Sequence, residues 1–398
     1  MVDPGTLFLL FVAVTASFFA AWTIGAGSTG ATPFAPAVGA NALTTMRATF
    51  IVGLLSFAGA VLQGAAVTET IGQELIEGVT LSPLAATVAL TIAAIYIAAG
   101  VFKGYPIATA FAISGSVAGV GIAMGGDPAW QRYGEISLYW VLTPVFVAPA
   151  SYVTTKALRG ERFAEEHVLP VLAGVVGVVI ANMEFLLLGA EGEQESIAAQ
   201  IASAVPGAQL AGVALTTLVF AAVLGSVVFR AMQRDSVRTQ QRFLLGLGAL
   251  VAFTAGGGKV GLAVGPLLPL LEGLVTWSVV TPVLIFGGLG MLLGAWMAAA
   301  RMIKALSQDY SSLGPRRSVG VLIPSFVIAQ VGIFYGIPMS FNEIFISAML
   351  GTGYAAGSET VSEKKMFYTA LAWIGSLVFS FFVGFGVYWG VSSLLGIE

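Results

Sequence analysis

Long unbroken apolar runs dominate this chain, separated by short polar clusters. A helix needs ~20 mostly apolar residues to cross a bilayer. By that measure the pattern predicts twelve membrane segments, near 5–24, 43–68, 83–102, 106–125, 135–156, 168–190, 207–230, 243–271, 278–300, 319–337, 338–357 and 366–395. A membrane β-barrel would show short segments of alternating polarity, and the chain does not. The first run follows Met1-Val2-Asp3-Pro4 with no basic stretch, so it reads as a retained span and not a cleaved signal peptide. The expected fold is an all-α polytopic membrane protein.

The polar clusters orient the chain. Lys156, Arg159 and Arg162 share one loop, Arg230, Arg234, Arg238 and Arg242 a second, and Arg301, Lys304, Arg316 and Arg317 a third. The loops with Glu69, Glu74 and Glu77, and with Glu191, Glu193 and Glu195, contain no Lys or Arg. Positive loops stay inside. Twelve crossings with both termini outside satisfy every one of these loops, and also place Lys364 and Lys365 inside. Arginine at every fourth position from Arg230 to Arg242 predicts a basic stripe along one helix, suited to anionic lipid headgroups.

The pattern also repeats. At an offset of 232, Pro106, Gly119, Gly121, Ala123 and Gly125 fall on Pro338, Gly351, Gly353, Ala355 and Gly357; Trp140 and Phe146 match Trp373 and Phe379 after a one-residue slip. Upstream, Ala37-Val38-Gly39 matches Ala263-Val264-Gly265. Segments one to five thus recur as eight to twelve. That offset is odd, so the second copy is expected upside down, as in the inverted repeats of secondary transporters. The expected organisation is a first repeat over 1–160 with a hairpin near 106–125, connecting spans and a basic inner loop over 161–240, and a second repeat over 241–398 with a hairpin near 338–357.

Each copy holds two places where a helix should break. Gly25-Ala26-Gly27-Ser28-Thr29-Gly30-Ala31-Thr32-Pro33 stands in the first copy and Gly256-Gly257-Gly258-Lys259-Val260-Gly261 in the second. Gly and Pro interrupt helices, and freed N–H groups at a half-helix start bind anions. Pro106 and Pro338 suit the first turn of short helices. These would be paired re-entrant hairpins, with Thr109 and Ser114, then Ser340, Asn342 and Glu343, behind their tips.

Composition narrows the function. Of the 398 residues 57% are apolar and 9% charged, and mean hydropathy is +0.93; soluble domains carry roughly 25% charged residues. A net charge of −3 without a basic groove excludes nucleic acid as a partner. With no Cys and a single His167, thiol chemistry and His- or Cys-built metal sites are excluded. No nucleophile–base pair is visible, so no enzyme is expected.

Gly39-Ala40-Asn41-Ala42-Leu43-Thr44, the Gly256 to Pro266 stretch and the two Pro-led hairpins resemble the inorganic phosphate transporter (PiT) family over nearly the whole chain. That family carries Gly-Ala-Asn-Asp-x-Ala-Asn in each half and Pro-x-Ser-Thr-Thr-His at each hairpin. Here the Asn-Asp pairs become Gly27-Ser28 and Gly258-Lys259, and the hairpins read Ala108-Thr109-Ala110-Phe111 and Ser340-Phe341-Asn342-Glu343. The resemblance implies an oxyanion solute held by hairpin hydroxyls and amides, and a homodimer. Its paired Asp residues serve sodium, and both are replaced here.

The residues then suggest a secondary carrier of inorganic phosphate or a similar oxyanion, working by alternating access in a prokaryotic plasma membrane. Ser28, Thr29, Thr32, Thr109, Gly257, Gly258, Lys259, Ser340 and Asn342 are the expected solute-binding set. Lys259 would stand where sodium stood and give a permanent charge; Glu343 would carry a proton or accept that of hydrogen phosphate, unless it simply pairs with Lys259. No resident cofactor is expected, and a proton is favoured over sodium as coupling ion. A sulfate permease of the same family is the nearest alternative; an anion channel or a non-transporting membrane sensor is the alternative of another class. Gln63 and Asn41 are expected as interhelical hydrogen-bond partners, and the tryptophans, Trp277 among them, as belt or packing residues.

Overall fold

The computed structural model describes residues 4–160, 164–189, 194–204, 209–272, 274, 278–307, 314–357 and 363–396. Arg162, Glu191, Glu193 and Trp277 lie outside them. The chain is almost entirely helical. Its first half holds α1 (Pro4–Ile24), a π-helical turn (Gly25–Thr29), α2 (Ala35–Gly39), α3 (Thr45–Gln63), α4 (Ala65–Gln73), α5 (Pro83–Lys103), α6 (Thr109–Ala123) and α7 (Trp130–Leu158). Then come α8 (Glu165–Ala181), α9 (Ile197–Ser203) and α10 (Gln209–Arg234). The second half holds α11 (Ser236–Val264), a 3-10 turn (Gly265–Leu267), α12 (Leu268–Glu272), α13 (Val280–Ala305), α14 (Pro315–Phe334), α15 (Phe341–Ala356) and α16 (Glu363–Leu395). Two small antiparallel ribbons tie loops: β1 (Ile76–Glu77) with β2 (Asp127–Pro128), and β3 (Glu184–Phe185) with β4 (Glu195–Ser196). Among the described residues nine helical stretches are long and apolar enough to cross a membrane. The protein is a multi-pass, all-α membrane protein.

Helices that meet in a membrane do so through small residues, because lipid offers no hydrophobic drive for their association. This chain follows that rule. α3 packs antiparallel on α13: Trp296 Nε1 donates to Phe50 O at 3.2 Å, Gly288 lies against Phe57 and Ala60, and Gly64 meets Leu284. The close approaches occur in reciprocal pairs. Gly25 lies on the backbone of Met291, and Gly256 on that of Ser56; Gly59 lies on Phe253, and Gly294 on Trp22. Gly119 of α6 lies on Phe381 of α16, and Gly351 of α15 on Ala148 of α7. The hairpin helices α6 and α15 are thus each packed on the last helix of the opposite half of the chain. α8 and α10 pair with one another, and α10 buries only Val228 and Met232.

Several expectations need correction. The Gly256–Gly261 run does not break its helix. α11 is continuous to Val264, because Gly256 and Gly257 serve to bring it onto Ser56, Gly59 and Gln63 of α3; the interruption falls at Gly265-Pro266. The first-copy glycines loosen the helix into a π-helical turn and do not end it there. The four arginines do not share one helix: α10 stops at Arg234, and Asp235 caps α11 by accepting from Arg238 N at 3.0 Å. The stretch 168–190 is helical only to Ala181. Asn41 is exposed, in a left-handed turn at φ 56°, and bridges no helices.

Since no side chain fits between Gly351 and the Ala148 backbone, Gly351→Val should destabilise the protein by roughly 1–3 kcal/mol. The check is the melting temperature of the purified variant in detergent. An unchanged value would mean that this crossing is loose.

Candidate functional site

A fully buried lysine stands at the meeting point of several helices. Lys259 has no exposed surface. It stands on the continuous part of α11, which is why its position is fixed. Its Nζ donates to Ser28 Oγ in the π-helical turn and to Thr109 Oγ1 at 3.1 Å, and lies 5.4 Å from the centre of the Phe341 ring. Among the described residues it forms no ion pair with a carboxylate, Glu343 included. Thr109 opens α6 and Phe341 opens α15. The N-termini of two helices, each equivalent to roughly +0.5 charge, therefore converge on the ammonium. A region so positive is chemically complementary to an anion.

The two extended segments that precede these helices are cross-braced. Trp140 Nε1 of α7 donates to Pro338 O at 2.8 Å, and Trp373 Nε1 of α16 donates to Pro106 O at 3.1 Å. Asn342 Nδ2 donates to Ile107 O at 2.7 Å, joining one tip to the other. The Asn342 Oδ1, the Thr29 hydroxyl and the Ser114 hydroxyl are buried without partners. Ser340 caps α15 by accepting from Glu343 N at 3.4 Å. Thr32 is tied locally, donating to Ser28 O at 2.8 Å.

Of the expected set, Ser28 and Thr109 therefore both contact Lys259, with Asn342 and Ser340 at the neighbouring tip. Gly258 faces the same centre: a methyl added there would lie 3.3 Å from Ile333 and 3.5 Å from Phe341. Gly257 does not. It is turned to Gln63, and its N–H lies within a continuous helix, so it offers no anion cradle. Glu343 is 4% exposed and lines a different space, a cavity of about 730 Å³ between α6, α7, α15 and α16, with Phe111, Trp140 and Trp373.

Two arginines hold the turns that lead into the hairpin segments. Arg132 of α7 is ion-paired to Glu74 (2.9 Å) and Glu135 (2.8 Å) and donates to Thr70 Oγ1 (2.8 Å) and to Tyr335 O (3.0 Å), beside Gly336 at φ +61°. Arg301 Nη1 of α13 donates to Phe102 O at 2.6 Å, beside Gly104 at φ +73°. Both turns need the left-handed conformation that glycine adopts freely. Near Arg132, burial raises the Glu69 carboxyl above its ordinary range, with further contributions from Glu74 and Glu272.

Comparison with known proteins adds to this geometry. A model of the phosphate transporter family (PHO4) matches residues 24–384. The chain belongs to that family. Its relatives include the chloroplastic inorganic phosphate transporter 2-1 of Arabidopsis thaliana, 24% identical, the alignment covering 93% of this chain and 70% of the relative. A protein of Pyrococcus horikoshii that carries the name phosphate permease is 26% identical, with 94% of each chain covered. The solved structure of a protein described as the sodium-dependent phosphate transporter superposes with a TM-score of 0.82 at 24% identity, covering 97% of this chain and 100% of that one.

Two features of this phosphate transporter family member go beyond what the sequence suggests. The motif departure at Phe341 puts an aromatic ring over the Lys259 side chain. Trp140 and Trp373 hold the hairpin segments as well as packing; their matching positions after the one-residue slip are the available signal. Gln63 does bridge helices, pairing with Gln330, which in turn donates to Thr254 Oγ1 at 2.7 Å.

Trp140→Phe and Trp373→Phe each remove one buried hydrogen bond to a hairpin segment, which should cost about 0.5–1.5 kcal/mol. The two losses should be similar, as read from denaturation of the two variants. A large effect from one and none from the other would show that the braces are not equivalent.

Proposed function

We propose that this protein is a secondary active transporter of inorganic phosphate that works by alternating access, with the Lys259 ammonium as a built-in positive charge for the anion. The observation that carries this reading is the convergence of Lys259, Ser28, Thr109 and the starts of α6 and α15 at one buried point. Phosphate binds well at helix N-termini and to charged donors. Membership of the phosphate transporter family supports phosphate as the solute.

The inverted repeat is part of this proposal. Ser28 and Lys259 hold corresponding places in the two copies, as do Thr109 and Phe341, so the ammonium lies where the copies meet. The reciprocal contacts of Trp140 with Pro338 and Trp373 with Pro106 support a two-fold relation. Corresponding helices α3 and α13 run antiparallel, which a two-fold axis along the membrane normal would forbid and one in the membrane plane requires. Arg132 and Arg301 latch the turns that lead into the two hairpin segments, and we assign them the role of gates on opposite approaches. Release of one at a time would expose the site to one side and then the other, as alternating access requires.

Coupling is proposed to be sodium-independent. An ammonium among Ser28, Thr109 and Phe341 occupies space that a sodium ion would need, and repels it. Glu343 is the proposed proton carrier: it is buried, follows the tip of α15, and lines a cavity separate from the ammonium. The plasma membrane is the proposed location, with the basic loops inside and both termini outside; a homodimer is the proposed assembly.

In proteoliposomes, phosphate uptake should follow an imposed pH gradient and be indifferent to replacing sodium by potassium. Glu343→Gln should abolish the pH response. Uptake that requires a sodium gradient would refute the coupling scheme. A hydrogen bond to a charged group contributes ~1.5–3 kcal/mol, so Lys259→Met should weaken phosphate binding roughly 10- to 150-fold. Sulfate taken up as well as phosphate would refute the assigned specificity.

A further inference from the structure

Among the basic loops, at the opposite end of α11 from Lys259, a pocket of about 540 Å³ opens. It lies between the end of α7 (Thr155, Arg159), the start of α14 (Gly314 to Arg317), Gln240 of α11 and Ala356 at the end of α15. Its volume is in the range of small-molecule sites.

Three independent features give it anion chemistry. First, the 20-residue helix α14 starts there with no side-chain cap: Gly314 is extended at φ −100° and ψ 173°, and Pro315 is the first helical residue. An uncapped start directs its first-turn N–H groups and the positive end of its dipole outward. Second, Arg159, Arg316 and Arg317 converge on the pocket, and Arg159 and Arg317 are close enough to repel one another. Glu165 accepts from Arg316 Nε at 3.0 Å and from its Nη2 at 2.6 Å, which orients that guanidinium. Arg159 Nη1 donates to Ala355 O at 3.0 Å, which fixes its guanidinium beside the end of α15. Third, Thr155 is fully buried, lines the pocket, and has a hydroxyl without a hydrogen-bond partner; it lies against Gly320 one turn into α14. Buried polar groups are ordinarily satisfied.

We infer that this pocket binds a phosphate-bearing anion, either free inorganic phosphate or the headgroup of a phosphatidate-type lipid. Arginine and a helix N-terminus together match the tetrahedral oxyanion, and the Thr155 hydroxyl adds a donor. The bound anion joins the end of α7 to the base of the α14–α15 hairpin, whose tip carries Ser340 and Asn342. Resting on the transport reading given above, occupancy holds that hairpin and so slows its movement; the binding itself does not depend on that reading.

The chain has no cysteine, so a single Gln240→Cys reports the pocket through its rate of maleimide labelling. The full-length protein is placed in phosphatidylcholine nanodiscs with or without inorganic phosphate, and in nanodiscs containing phosphatidic acid. Phosphate or phosphatidate should slow labelling at least about fivefold, as for a ligand held a few-fold above its Kd. Protection by phosphate in phosphatidylcholine assigns the site to the free anion; protection only with phosphatidic acid assigns it to the lipid. Arg159→Gln with Arg317→Gln should abolish either, and Thr155→Val should weaken it, which serves if the double variant does not fold. Lys259→Met should leave protection intact, which separates this site from the central one. Equal labelling rates under all conditions, or protection that persists in the folded double variant, overturns the inference.

Discussion

A buried ammonium at the meeting point of two helix starts is the constraint on which this structure turns. Taking a charge of that size out of water carries an effective penalty of several kcal/mol. Two hydroxyls and an aromatic face offset part of it at Lys259. The positive ends of α6 and α15 add to it. Side chains from four segments must therefore be held in register around one atom, and the packing achieves this. The glycine crossings bring α11 against α3, and the tryptophan braces fix the two extended segments that aim α6 and α15 inward.

The same packing explains how a fixed charge is compatible with transport. α11 is straight and continuous at Lys259, so the charge is part of a rigid element. The hairpin segments are held by single hydrogen bonds from Trp140, Trp373 and Asn342, and the turns leading into them by Arg132 and Arg301. Contacts of that size, about 1 kcal/mol each, can be exchanged in turn without dismantling the crossings.

Much of the fold was legible in the sequence, because bilayer thickness makes long apolar runs nearly unambiguous and the offset of 232 aligns Pro106 with Pro338. Of the twelve expected segments, those near 106–125, 168–190 and 338–357 hold shorter helices of 15, 17 and 16 residues, which leaves nine long apolar spans among the described residues. The errors came where composition and packing compete. Gly256-Gly257-Gly258 looks like a helix breaker in isolation, yet its glycines let two backbones touch, and tertiary packing preserves the helix. The arginine stripe was divided by one capping aspartate, Asp235, whose local hydrogen bond outweighs the four-residue spacing. Within the site, Lys259, Ser28 and Thr109 were legible because each replaces or keeps a motif position. Phe341 was not, since an aromatic ring in an apolar chain carries no chemical signal until a cation is found over it. The separation of Glu343 from Lys259 was also illegible, for spacing along α15 does not say which side of the tip a carboxylate faces.

The most direct test is an experimental density map of the protein with phosphate bound. The account predicts a tetrahedral anion within hydrogen-bonding distance of Lys259 Nζ, between Thr109 and the start of α15, with no cation beside it. A map in which phosphate lies elsewhere, or in which Lys259 Nζ is engaged by a carboxylate while the anion is bound, would contradict it.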